Sequence, residues 1–113
     1  MTAVITVIDH PLVRHKISLL RDRDTKPMVF RALVREIAQL MTYEATRDLA
    51  LVDREIETPV APMAAQFLAD PAPVLVSIMR AGNAMLDGVL DLIPNASVAH
   101  IGVYRDHETL EAV

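Results

Sequence analysis

The chain has 113 residues, 52% of them hydrophobic and 4% aromatic, with a mean hydropathy of +0.30, a net charge of −4 and no cysteine. That length accommodates one domain or part of one, with a core of useful size. The acidic balance argues against general nucleic-acid or membrane binding, the few aromatics leave no stacking platform for single strands, and the lack of cysteine removes disulfides, thiolate catalysis and zinc–thiolate sites.

The N-terminus, Met1-Thr2-Ala3-Val4-Ile5, has no basic region before its apolar residues, so no signal peptide is expected. No apolar run approaches the roughly 18 residues of a membrane-spanning helix. A cytoplasmic protein is the expectation. Ala3 to Ile8, rich in Val, Ile and Thr, predicts a short strand. Asp9-His10-Pro11 ends it, and Pro11 suits the first turn of a helix. Leu12, Ile17, Leu19 and Leu20 predict an amphipathic helix to about Arg21. A polar connector follows through Pro27, in which Asp24 or Thr25 is placed to cap the next helix. Phe30, Leu33, Ile37, Leu40 and Met41 make a stripe of helical period, predicting a helix to about Arg47 or Asp48.

From Leu51 to Pro59 the period changes to two. Asp53, Glu55 and Glu57 share one face, and Val52, Arg54, Ile56 and Thr58 the other, as in a strand with a wet side. After the turn at Pro59 and Pro62, Ala64 to Ala69 predicts a returning strand. Asp70-Pro71-Ala72-Pro73 leads into an apolar strand at Val74 whose continuous pattern suits burial on both faces. Met85, Leu86, Val89, Leu92 and Ile93 predict the core side of a helix from Asn83 to Ile93, which Pro94-Asn95 stops. A last strand is predicted from about Ser97 to Tyr104, then a turn at Arg105 to Glu108 and the start of another strand at Thr109 to Val113. The whole reads as a single incomplete domain, residues 1–113.

The functional signal is a doubled pattern. An apolar run ends in arginine at Met79-Arg80-Ala81-Gly82 and again at Val103-Tyr104-Arg105-Asp106, with a helix between. A strand–helix–strand unit of about 30 residues puts both strand ends on one sheet edge, where open α/β sheets bind ligands. Arginine presents a fixed fork of donors suited to phosphate oxygens. Gly82 allows positive φ or close approach of a ligand to the backbone, and the free N–H groups of the following helix suit an anion. An ordinary strand–helix turn with a solvated arginine is the alternative.

Other candidates are poorer. His10 and His15 are five apart, not the four that align ligands on one helix face. His100 reads as a packed core histidine and His107 as a solvated turn residue. Asp53, Glu55 and Glu57 read as a solvated strand face, and Asp87 as a helix-surface carboxylate. No residue set stands out as catalytic or as a metal site.

Several blocks resemble one family. They are His10-Pro11-Leu12-Val13-Arg14-His15-Lys16, Arg31-Ala32-Leu33-Val34-Arg35-Glu36-Ile37, Tyr43-Glu44-Ala45-Thr46-Arg47-Asp48, Glu55-Ile56-Glu57-Thr58-Pro59, Met79-Arg80-Ala81-Gly82 and His100-Ile101-Gly102-Val103-Tyr104-Arg105-Asp106. In order and spacing they resemble the amino-terminal half of uracil phosphoribosyltransferase. The resemblance implies an α/β fold, the amino-terminal part of a type I phosphoribosyltransferase-like fold, with a parallel sheet core, flanking helices and a β-hairpin. It implies that uracil attacks 5-phosphoribosyl 1-diphosphate (PRPP) to give UMP and diphosphate, in pyrimidine salvage. It implies that Arg80, Ala81, Gly82 and Arg105 bind the PRPP diphosphate, that Mg2+ accompanies PRPP, and that the protein is a homodimer. The family's Thr-Gly-Gly-type phosphate loop and its uracil-binding segment have no counterpart in these residues, so the isolated chain is expected to be inactive. Two other readings stay open: a non-catalytic interaction or dimerisation domain, and a phosphate-binding regulatory module built on the same fold.

Overall fold

A computed structural model describes residues 3–80 and 82–102. The order of elements is α1 (Pro11–Arg21), α2 (Pro27–Ala45), β1 (Leu51–Glu57), β2 (Pro62–Leu68), β3 (Val74–Met79), α3 (Asn83–Leu92) and β4 (Ser97–Gly102). The fold is mixed α/β, with β1 and β2 an antiparallel hairpin and β3 and β4 a parallel pair joined through α3. None of the described helices is long and apolar enough to cross a membrane.

Both long helices begin at proline, whose missing N–H costs nothing in a first turn. His10 caps α1, its Nδ1 accepting the Leu12 N–H at 3.1 Å, so this histidine works as a helix cap. At α2 the predicted caps do not operate. Lys26 occupies the cap position without a side-chain bond, and the Thr25 hydroxyl turns back to the Leu19 carbonyl at 2.5 Å. Pro27 starts the helix one residue later than a Thr25 cap would require, which takes both Asp24 and Thr25 out of reach. The far end frays into turns after Ala45, short of the expected Arg47.

Residues 3–10 form no strand. A strand needs a partner for its backbone groups, and residues 3–10 are paired with neither of the two described sheets. The hairpin was readable from period two: Asp53 pairs with Gln66 and Glu55 with Ala64 on the wet face. On the other face the Arg54 guanidinium lies 4.0 Å from the Phe67 ring centroid, a cation–π contact worth about 0.5–1 kcal/mol at an exposed site. The hairpin packs on no other described element, which helps explain a radius of gyration of 18.5 Å, well above the about 13 Å of a compact chain this long.

Among the described residues the core is small, with Val13, Leu33, Ile37, Ala38 and Ile93 its buried apolar members. Phe30 and Met41, expected on the buried stripe, are 44% and 41% exposed because α2 turns Ala38 and Thr42 inward instead. Leu92 is likewise exposed, and Gly88 takes the contact position on α3. A Cβ built on Gly88 would stand 2.4 Å from the Arg35 carbonyl oxygen and 3.2 Å from the Ala38 Cβ. Only glycine lets α3 lie so near the α2 backbone. Arg35 and Gln39 then reach across to the Asp91 carboxylate, with Nε and Nε2 at 2.7 and 3.1 Å from Oδ2. Lys16 ties α1 to α2 through Glu36 at 2.8 Å.

Gly88→Ala tests this packing. Alanine favours the helix by up to about 1 kcal/mol, but its methyl meets backbone that cannot swing aside. The expected net is a loss of about 1–3 kcal/mol, read as a lower urea midpoint by circular dichroism. Unchanged or raised stability would show that the helices do not meet at Gly88.

Candidate functional site

β3 and β4 are parallel and in register from Val74 opposite Ser97 to Met79 opposite Gly102. Both strands therefore finish at the same edge of the pair. Arg80 follows β3 directly and is exposed. It makes no ion pair among the described residues. The Met79–Arg80 peptide is cis. Ala81 and Arg105 lie outside the described residues, so of the four expected diphosphate-binding residues the structure describes Arg80 and Gly82.

The turn between β3 and α3 is built from three short-range bonds. The Gly82 N–H donates to the Ile78 carbonyl at 2.8 Å, and the Asn83 N–H to the Arg80 carbonyl at 3.1 Å. The Ser77 hydroxyl donates to Asn83 Oδ1 at 2.8 Å. Ser77 is the one polar residue within β3 and is only 4% exposed. A buried hydroxyl is costly unless it is bonded, and this one is. Ser77 and Asn83 were not expected as site residues. The available signal was a serine inside an otherwise apolar strand.

Gly82 has φ −64°, an ordinary helical value, so positive φ is not why glycine stands there. The reason is proximity to its own strand: a Cβ would lie 2.8 Å from the Ile78 oxygen and 2.9 Å from Ser77 Oγ. The α3 amino terminus, at Gly82, has no side-chain cap. The Gly82 and Asn83 N–H groups are taken by the Ile78 and Arg80 carbonyls, so this turn offers an anion the Arg80 guanidinium beside the positive end of the α3 dipole.

His100 is exposed, not packed. It pairs in register with Ser77, but α3 packs on β3 and not on β4, so no described element covers the histidine. Asp87 lies with Arg31 and Arg35 in a shallow cleft between α2 and α3. Asp53, Glu55 and Glu57 remain on the exposed hairpin face. His107 lies outside the described residues. A cleft of about 600 Å³ lies elsewhere, lined by Ile8, Met41, Glu44, Arg47 and Met85 among others, and neither Arg80 nor Gly82 lines it. At its rim Arg47 bonds Glu44 through two nitrogens, at 3.0 and 2.7 Å, which holds the Glu44 carboxyl below its ordinary pKa.

The family model for uracil phosphoribosyltransferase matches residues 7–113. The chain belongs to the uracil phosphoribosyltransferase family. It is 54% identical over 109 residues to the uracil phosphoribosyltransferase of Rhizobium rhizogenes, and 57% identical over 109 residues to that of Alkaliphilus oremlandii. Each match covers 96% of this chain and 52% of the relative. Among solved structures, the AQ2163 protein of Aquifex aeolicus superposes with a TM-score of 0.88 at 34% identity, covering 97% of this chain and 53% of that one. The chain thus spans about half the length of the curated relatives it matches. The sequence resemblance to the amino-terminal half of this transferase family is borne out, as is the α/β fold it implied.

Two substitutions test the turn. Ser77→Ala removes one hydrogen bond and is expected to cost about 0.5–1.5 kcal/mol. Gly82→Ala forces a methyl against backbone oxygen and is expected to cost more, about 1–3 kcal/mol. Thermal unfolding of both variants should give that order, and equal or reversed losses would contradict the geometry.

Proposed function

We propose that this chain is the diphosphate-binding part of a uracil phosphoribosyltransferase, in which uracil N1 displaces diphosphate from the anomeric carbon of PRPP. The C–O bond to diphosphate breaks, the N–C bond to uracil forms, and the N1 proton is lost. The observation that carries the reading is the parallel β3–β4 pair, with Arg80 and the uncapped start of α3 at its carboxy-terminal edge. Charge accumulates on the departing diphosphate, and donors aimed there act most strongly in the transition state. Arg80 is one such donor. Arg105, three residues beyond the end of β4, would be the second.

Transfer also needs the ribose 5-phosphate fixed and the base held about 3–3.5 Å from the anomeric carbon. The relatives are about twice as long, and this reading assigns those two tasks to their remaining half. By itself the chain would bind diphosphate weakly and transfer nothing. Magnesium would come bound to the diphosphate. Among the described residues no group of three or more acids or histidines could hold a metal, so they build no seat for it. A cytoplasmic homodimer acting in pyrimidine salvage is part of the same proposal.

The test is a radiolabelled-uracil assay. The 113-residue chain alone should form no UMP above background. Fused to the carboxy-terminal half of the Rhizobium rhizogenes relative, it should turn over, and Arg80→Ala in the fusion should lower turnover by roughly 10²–10³-fold. Arg35→Ala, which breaks a half-exposed ion pair with Asp91, should cost stability of up to about 1 kcal/mol and leave turnover within a few-fold. UMP formation by the short chain, or full activity of the fused Arg80→Ala variant, would overturn the proposal.

A further inference from the structure

Asn83 and Ser77 are each a poor choice for the element that holds them. Asn83 stands one residue inside α3, past the cap position that Gly82 occupies, where asparagine forms helix less well than alanine or leucine. Ser77 puts a hydroxyl into a strand otherwise of Val, Leu, Ile and Met, and it is buried. Together they satisfy each other, the Ser77 hydroxyl donating to Asn83 Oδ1 at 2.8 Å. Local choices that oppose their own element and are compensated elsewhere are expected at functional sites. The bond also has a direction. A carboxamide carries one oxygen and one NH2 group, so holding the oxygen sets where the two donors point. Ser77 is buried and Asn83 exposed, which keeps the oxygen inward and leaves the NH2 at the surface of the turn. Among the described residues that NH2 donates no hydrogen bond. The backbone donors beside it are already used, the Gly82 N–H on Ile78 and the Asn83 N–H on Arg80.

We propose that Asn83 is a further diphosphate ligand of this turn, and that Ser77 is its positioning residue. The inference rests on the diphosphate reading of the turn and adds a neutral donor beside the charged one. The two groups contribute differently. Arg80 brings full charge at the end of a long stem. Asn83 has a short stem, and the bond to Ser77 sets its torsions before any ligand arrives. Donors fixed in advance lose little freedom on binding. Without the Ser77 hydroxyl the amide is free to turn its oxygen outward, and an anion would then meet an acceptor.

The probe is inorganic diphosphate, titrated into the isotope-labelled 113-residue chain and followed by NMR. The chain has two asparagines, Asn83 and Asn95, and two glutamines, Gln39 and Gln66, so its side-chain NH2 signals are readily told apart. The Asn83 pair should move with the Arg80 Nε–H signal along one binding curve, while those of Asn95, Gln39 and Gln66 stay in place. Asn83→Asp keeps an oxygen for Ser77 but turns the outward donors into an anionic acceptor. It should weaken diphosphate binding roughly tenfold or more. Its melting temperature should be unchanged or raised, because a carboxylate suits the first turn of a helix. Ser77→Ala should weaken binding by less. Added to Asn83→Ala it should cost no further affinity, since Ser77 acts through Asn83. A moving Arg80 signal with a still Asn83 pair would overturn the inference and leave the diphosphate reading standing. So would an Asn83→Asp chain that binds as well as the parent. Additive losses from the two alanine changes would overturn the role given to Ser77. If no signal of the turn moves, the inference and the diphosphate reading fall together.

Discussion

The structure depends on how near α3 can lie to α2. α1 packs on α2, α2 on α3, and α3 on β3, so among the described elements α3 is the one packed link between the helical layer and the parallel strands. That link closes at Gly88, where the α2 backbone at Arg35 leaves no room for a methyl group. The Arg35–Asp91 pair sits beside the contact but is half exposed, so solvent and salt weaken it. Close backbone packing decides the geometry, and the ion pair trims it. Because α3 also begins at the Gly82 turn, the same contact fixes the direction from which Arg80 is presented.

The turn itself is economical. Its bonds span no more than six residues, and all lie between the end of β3 and the start of α3. The positive end of a helix and a guanidinium on one short turn need no large cavity to attract an anion. The cleft beside Glu44 and the turn at Arg80 are accordingly different places.

Local patterns were legible and shared surfaces were not. The period-two hairpin, the two proline-started helices and the apolar β3 can be read from a few residues each, because steric and hydrogen-bonding rules act locally there. The strand expected at Ala3 to Ile8 has the right composition but no partner, and composition cannot supply one. The second cover expected for β3, and the packing expected for His100, fail for one shared reason: among the described residues, nothing lies over those surfaces. At the candidate site, the position of Arg80 and Gly82 at a turn between strand and helix was legible from the strand–arginine–glycine pattern. The positive φ allowed for at Gly82 is not used, and the crowding there by Ser77 and Ile78 is visible only in coordinates. Ser77 and Asn83 went unread because their bond crosses a turn whose path the sequence does not specify.

Ser77 has a consequence for how β3 finds its place. A strand of Val, Leu, Val, Ile and Met can offer either face to a helix at nearly the same gain, so its hydrophobicity leaves the registration ambiguous. A single hydroxyl removes that degeneracy. Slipped by one residue, Ser77 would point away from α3 and lose Asn83, while an aliphatic side chain would crowd the turn at Gly82. The serine acts as an index mark. It adds little to the depth of the folded minimum and much to the gap between that minimum and its nearest misregistered competitor.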